Sequence, residues 1–118
     1  MPQFSLDERL ADLARETAVD VVSLAEVMQA ARLAADLDPA MPLRDRTFHA
    51  LRQMLRQGFQ LQAVDGQRQH VTDPDQDPDS ILRRIAAVWD AEPNEAVLGY
   101  SFWFDMPEHL RPPAGNPP

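Results

Sequence analysis

The sequence predicts a small α+β domain: three helices and a β-hairpin in winged-helix-like order, then a fourth helix and a C-terminal aromatic strand. Three observations predict it. Apolar residues recur at helical spacing behind two capping boxes in the first half. Apolar residues and glutamines alternate strictly over Phe59–Ala63. An aromatic run, also alternating, lies near the C-terminus. At 118 residues, 44% of them hydrophobic, the chain has the size and apolar content of one core. We therefore expect a single globular domain over 1–110, followed over 111–118 by a Pro-rich tail with almost nothing to bury.

Ser5 and Glu8 form the first capping box, and Leu6, Leu10, Leu13 and Ala14 give an amphipathic helix over about 6–17. Ser23 and Glu26 repeat the box ahead of a second helix over about 24–37, with Leu24, Val27, Met28, Ala31 and Ala35 on its apolar stripe. The stretch Asp38-Pro39-Ala40-Met41-Pro42 cannot continue a helix, because each proline removes a donor and biases its predecessor towards extended geometry. A third helix over about 43–57 buries Phe48, Leu51 and Met54 and turns Arg44, Arg46, Arg52 and Arg56 outward. Gly58 stands where a left-handed cap ends it.

Phe59, Leu61 and Ala63 then define a half-buried strand. Asp65-Gly66 predicts a two-residue turn, with Gln67–Thr72 as the returning strand. Residues 73–79 carry an aspartate at every second position and two prolines, so a solvated loop is expected. Asp79 or Ser80 can cap a fourth helix over about 80–91, which Glu92-Pro93-Asn94 breaks. Val97–Phe104 reads as the last strand, with Leu98, Tyr100, Phe102 and Phe104 facing the core and Trp103 on the opposite side.

Composition excludes several chemistries. Without cysteine there is no disulfide, zinc-thiolate site or cysteine nucleophile. His49, His70 and His109 lie far apart and share no zinc-ligand spacing. The aspartate run fails as a calcium loop: counted from Asp73, the position needing glycine holds Pro78 and the position needing a bidentate carboxylate holds Arg84. No glycine-rich phosphate loop or nucleophile elbow is present. We expect no enzyme, no cofactor and no metal. The first residues lack the basic and apolar regions of a signal peptide, and no apolar run approaches a membrane span, so a cytoplasmic protein is expected.

What remains is charge and aromatic surface. The net charge is −8, yet residues 44–58 carry four arginines against one aspartate. In a winged helix that third helix would read DNA, although the acidic remainder of the chain opposes phosphate binding. Otherwise its arginines form an exposed face paired with acids of the first two helices. Asp73, Asp75, Asp77 and Asp79, with Trp103 and Asp105, are the candidate partner-binding residues. The aspartates would steer a basic partner, and the tryptophan would anchor it. If that loop is solvated, converting its aspartates to asparagine leaves the fold intact.

The stretches VSLAEVMQAARL, TFHALRQMLRQGFQLQAV, DSILRRIAAVWDAEP and GYSFWFDMP, together spanning about residues 20–107, resemble a group of small bacterial immunity proteins encoded beside secreted polymorphic toxins. The resemblance implies a cytoplasmic, non-enzymatic inhibitor that protects its producer by binding and blocking a basic toxin domain, for instance a nuclease. It brings no catalytic residues. Two alternatives stay open: a winged-helix DNA-binding transcription regulator using Arg44, Arg46, Arg52 and Arg56, and a phage-encoded acidic inhibitor that mimics nucleic acid.

Overall fold

The capping box at Ser5 forms as its spacing requires. In the computed structural model, which describes residues 4–112, Ser5 Oγ accepts from Glu8 N, Glu8 Oε1 accepts from Ser5 N, and helix α1 runs Leu6–Glu16. The second box does the same for α2, Leu24–Leu33, directly after a two-residue strand β1, Val22–Ser23. Helix α2 stops four residues earlier than its apolar stripe predicts. The following residues serve α1 instead: Asp36 Oδ1 accepts from Leu6 N at 2.8 Å, and Ala35 N donates to Phe4 O at 2.9 Å. A carboxylate at a helix N-terminus favours the dipole and satisfies an orphan amide, so ending α2 at Leu33 stabilises the start of α1.

Helix α3, Leu43–Gln57, has the predicted bounds, with Gly58 in left-handed geometry (φ 106°) closing it. Strands β2, Gln60–Val64, and β3, His70–Thr72, pair antiparallel. The turn between them is a five-residue loop, not the two-residue turn that Asp65-Gly66 predicts. Asp65 Oδ1 accepts from both Gln67 N and Gln69 N, Asp65 N donates to Gln69 O, and Arg68 takes the left-handed position (φ 62°). The aspartate side chain organises the loop, so Gly66 is not required for its geometry.

Helix α4, Pro78–Ala91, starts two residues before the predicted range. Its cap is Asp77, not Asp79 or Ser80, and Pro78 sits in the first turn, where a missing N–H costs nothing. The expected long aromatic strand is shorter than predicted. Asn94 caps a helical turn α5, Glu95–Leu98, and only Trp103–Asp105 forms strand β4. A short 3₁₀ turn, Glu108–Leu110, follows. Arg111 is held by side-chain bonds to Thr17 and Asp105, and residues 113–118 of the expected tail lie outside the described ones.

The chain order up to Thr72 is winged-helix-like, but β4 enters between β1 and the hairpin. The antiparallel sheet therefore runs β1-β4-β2-β3. One sheet face carries Val22, Leu61 and Phe104 in register, all fully buried against the helices. Leu10, Leu24, Leu51, Met54, Ile81 and Ile85 complete a single core. Each such side chain contributes about 1.5–3 kcal/mol through burial. No described helix is long and apolar enough to cross a membrane.

Candidate protein-binding surface

Alternation along β4 sends Phe104 inward and Trp103 to the outer sheet face, as predicted. There Trp103 stands in register with Gln62 on β2 and Ser23 on β1. Its ring lies 5.2 Å from the His70 ring on β3 and 5.8 Å from the Tyr100 ring, both tilted. Tyr100 was expected in the core, but it is 62% exposed. The period of two fails there because residues 95–98 are helical, so Tyr100 emerges from a turn instead of a strand. Three aromatic rings thus form a row on the solvent face. His70 and Tyr100, which sequence reasoning did not select, owe their place in it to strand pairing and to the α5 turn.

Edge strand β1, on the side of β4 away from His70, is bordered by carboxylates. Glu26 Oε2 accepts from Ser23 N at 2.7 Å, beside Trp103's register partner. Glu16, Asp20 and Glu26 line a shallow cavity of about 310 Å³ with Val19 and Val22, and Val19 is 91% exposed. The Glu16 carboxyl is pushed above its ordinary value, first by desolvation in the groove, then by the charge and hydrogen bond of Glu26, and least by Asp12.

The acidic loop differs from its expectation. Asp73 is only 8% exposed: its carboxylate accepts from Asp75 N at 2.9 Å and pairs with Arg84 at 3.3 Å. The Asp75 N–H bond, outweighing burial and helped by Arg84, holds the Asp73 carboxyl below its ordinary value. Asp75 accepts from the Ser80 hydroxyl and from Asp77 N, and these two bonds lower its carboxyl as well. Asp77 caps α4, and Asp79 stays exposed in the first helical turn. Three of the four aspartates therefore build a hydrogen-bonded ladder into α4. Gln76 completes it: its side-chain amide accepts from Leu61 N at 3.0 Å and donates to Leu61 O at 2.9 Å, like a further strand on β2.

Asp105 has an internal partner too. It pairs with Arg111 at 3.2 Å, while Arg111 Nε donates to Thr17 Oγ1 at 3.1 Å. Comparison with protein-family models, with curated proteins and with solved structures found no match to the chain.

Among the described residues, the arginines of α3 form no ion pair with acids of the first two helices. Arg44 pairs with Asp90 of α4 at 3.2 Å and stacks over Phe48 at 4.9 Å, whose ring meets Trp89 at 6.0 Å. Arg46, expected outward, is half-buried and donates to Arg32 O. It is Gln53 that reaches α1, donating to Asp7 Oδ1 at 2.6 Å. Helix α4 thus packs along one flank of α3 and α2 along another, leaving Asp45, His49, Arg52 and Arg56 exposed on α3. Among the described residues no three His, Cys, Asp or Glu side chains gather to hold a metal ion.

Proposed function

We propose that this chain is a cytoplasmic, non-enzymatic inhibitor of the immunity type, which binds a basic toxin domain and covers its working surface. The row Tyr100–Trp103–His70, with Tyr100 and His70 exposed and Trp103 half-buried between them, carries the reading. Exposed aromatic rings on an ordered sheet are suited to anchor an interface, since little side-chain entropy is lost when they are covered. The carboxylates on the β1 border and the net charge of −8 favour a basic partner and speed its encounter. A DNA-reading role draws less support, because Arg44 is neutralised by Asp90 and α4 covers one flank of α3.

Co-expression with a basic toxin domain encoded in the adjacent reading frame tests this. The wild-type chain is expected to restore growth and to co-purify with the toxin domain. Trp103→Ala is expected to weaken the complex by about 2 kcal/mol or more through faster dissociation. Tyr100→Ala, at an exposed site, is expected to weaken it without loss of fold by circular dichroism. Unrelieved toxicity with no complex would overturn the proposal.

A further inference from the structure

We infer that β3 pairs with β3 of a second copy of this chain, antiparallel about a two-fold axis at Val71, so that the two sheets join into one. No toxin partner is needed for this pairing, so it stands or falls apart from the inhibitor reading. The sheet order β1-β4-β2-β3 leaves β1 and β3 as edges. At β1 the outward Ser23 N–H is taken by Glu26 Oε2 at 2.7 Å. On β2, past the end of β3, the Leu61 N–H and C=O are both taken by the Gln76 side-chain amide. Strand β3 has no such seal. Asp73 N donates to Leu61 O and Asp65 N donates to Gln69 O, so Gln69, Val71 and Asp73 turn their main-chain groups towards β2. By alternation His70 and Thr72 turn theirs the other way, and among the described residues those N–H and C=O groups have no hydrogen-bond partner.

The strand is complementary to itself. With Val71 on the axis, His70 of each copy faces Thr72 of the other, and their outward groups make four main-chain hydrogen bonds. The two Val71 side chains meet in the non-bonded position, where side chains come closest, and cover a valine that is exposed in the single chain. Only shortness blunts this edge: β3 carries no proline and no charged side chain, and its register with β2 has no bulge. The acids beside it are bound within their own chain. Asp65 accepts from Gln67 N and Gln69 N in the hairpin loop, and Asp73 pairs with Arg84. Antiparallel pairing also brings the exposed Arg68 end of each strand to the Asp73–Asp75 end of the other, so opposite charges approach. A three-residue edge is a small contact beside the roughly 1,200 Å² of a stable complex, so the dimer should become populated only at about 0.1–1 mM.

Sedimentation equilibrium of the whole chain up to about 1 mM tests the pairing. At about 150 mM salt a Debye length near 8 Å screens the repulsion between two chains of net charge −8. A reversible monomer–dimer equilibrium is expected. Proline is tolerated on an edge strand where its missing N–H would face outward, so Thr72→Pro should keep the fold by circular dichroism. It removes two of the four bonds and should weaken the dimer about tenfold or more. Thr72→Ala, which keeps the N–H, should dimerise within about twofold of wild type. Val71→Lys sets like charges face to face on the axis and should abolish the dimer. Amide exchange gives a second reading on the unaltered chain. The His70 and Thr72 N–H groups should gain protection as concentration rises, while Val71 N–H, already turned to β2, should not. A chain that stays monomeric at about 1 mM would overturn the inference, as would a dimer that survives Thr72→Pro and Val71→Lys unchanged. Protection of His70 and Thr72 that appears only with an added toxin domain would also overturn it, because the edge would then belong to that partner.

Discussion

Glu16 and Asp73 are both carboxylates, yet their surroundings move them in opposite directions. Glu16 is raised by desolvation and by Glu26, so the folded chain holds its proton more tightly than the unfolded chain does. Its contribution to stability falls as pH rises from the ordinary glutamate value, about 4.3, through the raised folded value, and at neutral pH the penalty is fully present. Glu16→Gln should therefore raise urea stability at pH 7, and the gain should vanish below pH about 4. Asp73 is lowered, chiefly by the Asp75 amide, so its stabilisation is complete above about pH 4 and is lost as pH falls through the folded value. Asp73→Ala should cost about 1.5–3 kcal/mol at neutral pH, the range for hydrogen bonds to a charged group, and less in acid. An unchanged midpoint in Asp73→Ala would mean that the ladder into α4 carries no stability. Neutralising all four aspartates should therefore cost stability through Asp73, which is buried and bonded and not solvated as expected.

Between elements, the end of α5 closes tightly on α2. Ala25 N donates to Gly99 O at 2.9 Å, and a Cβ on Gly99 would meet Ala25 Cβ at 2.6 Å. Gly99 has ordinary helical φ, so glycine is needed here for space alone. Gly99→Ala should cost about 1–3 kcal/mol by overpacking, and Ala25→Gly should recover part of that loss in a double-mutant cycle. Additive costs would show that the Ala25 methyl is not what crowds a side chain at position 99. This contact also marks where sequence reading ends. The capping boxes at Ser5 and Ser23 and the bounds Pro42 and Gly58 of α3 were legible because each is decided within one turn of chain. Strand β1 was not, since two residues become a strand only by pairing with Trp103 and Phe104, some eighty positions later. Of the binding surface, Trp103 on the outer face was legible by alternation. Tyr100 and His70 join it only through the register and the α5 turn.

Taken as a whole, the molecule sets a small basic stripe on α3 against a net charge of −8. Long-range attraction to a polyanion depends on the whole field, and specific contact depends on a helix free to enter a groove. Here α4 packs beside α3, Phe48 and Trp89 fill the seam, and Asp90 cancels Arg44. Of its arginines only Arg52 and Arg56 are exposed, and no carboxylate lies within ion-pair distance of them among the described residues. Two phosphate contacts supply little affinity compared with the six to ten typical of DNA-binding proteins whose affinity falls steeply with salt. The chain should therefore leave mixed-sequence duplex DNA unshifted at micromolar concentration and low salt, although a nonspecific binder typically reaches Kd of about 10⁻⁴–10⁻⁶ M even at physiological salt. A clear shift that weakens steeply with added salt and disappears in Arg52→Glu/Arg56→Glu would show that this stripe outweighs the molecule's negative field. The basic face of α3, not the aromatic face of the sheet, would then be the working surface.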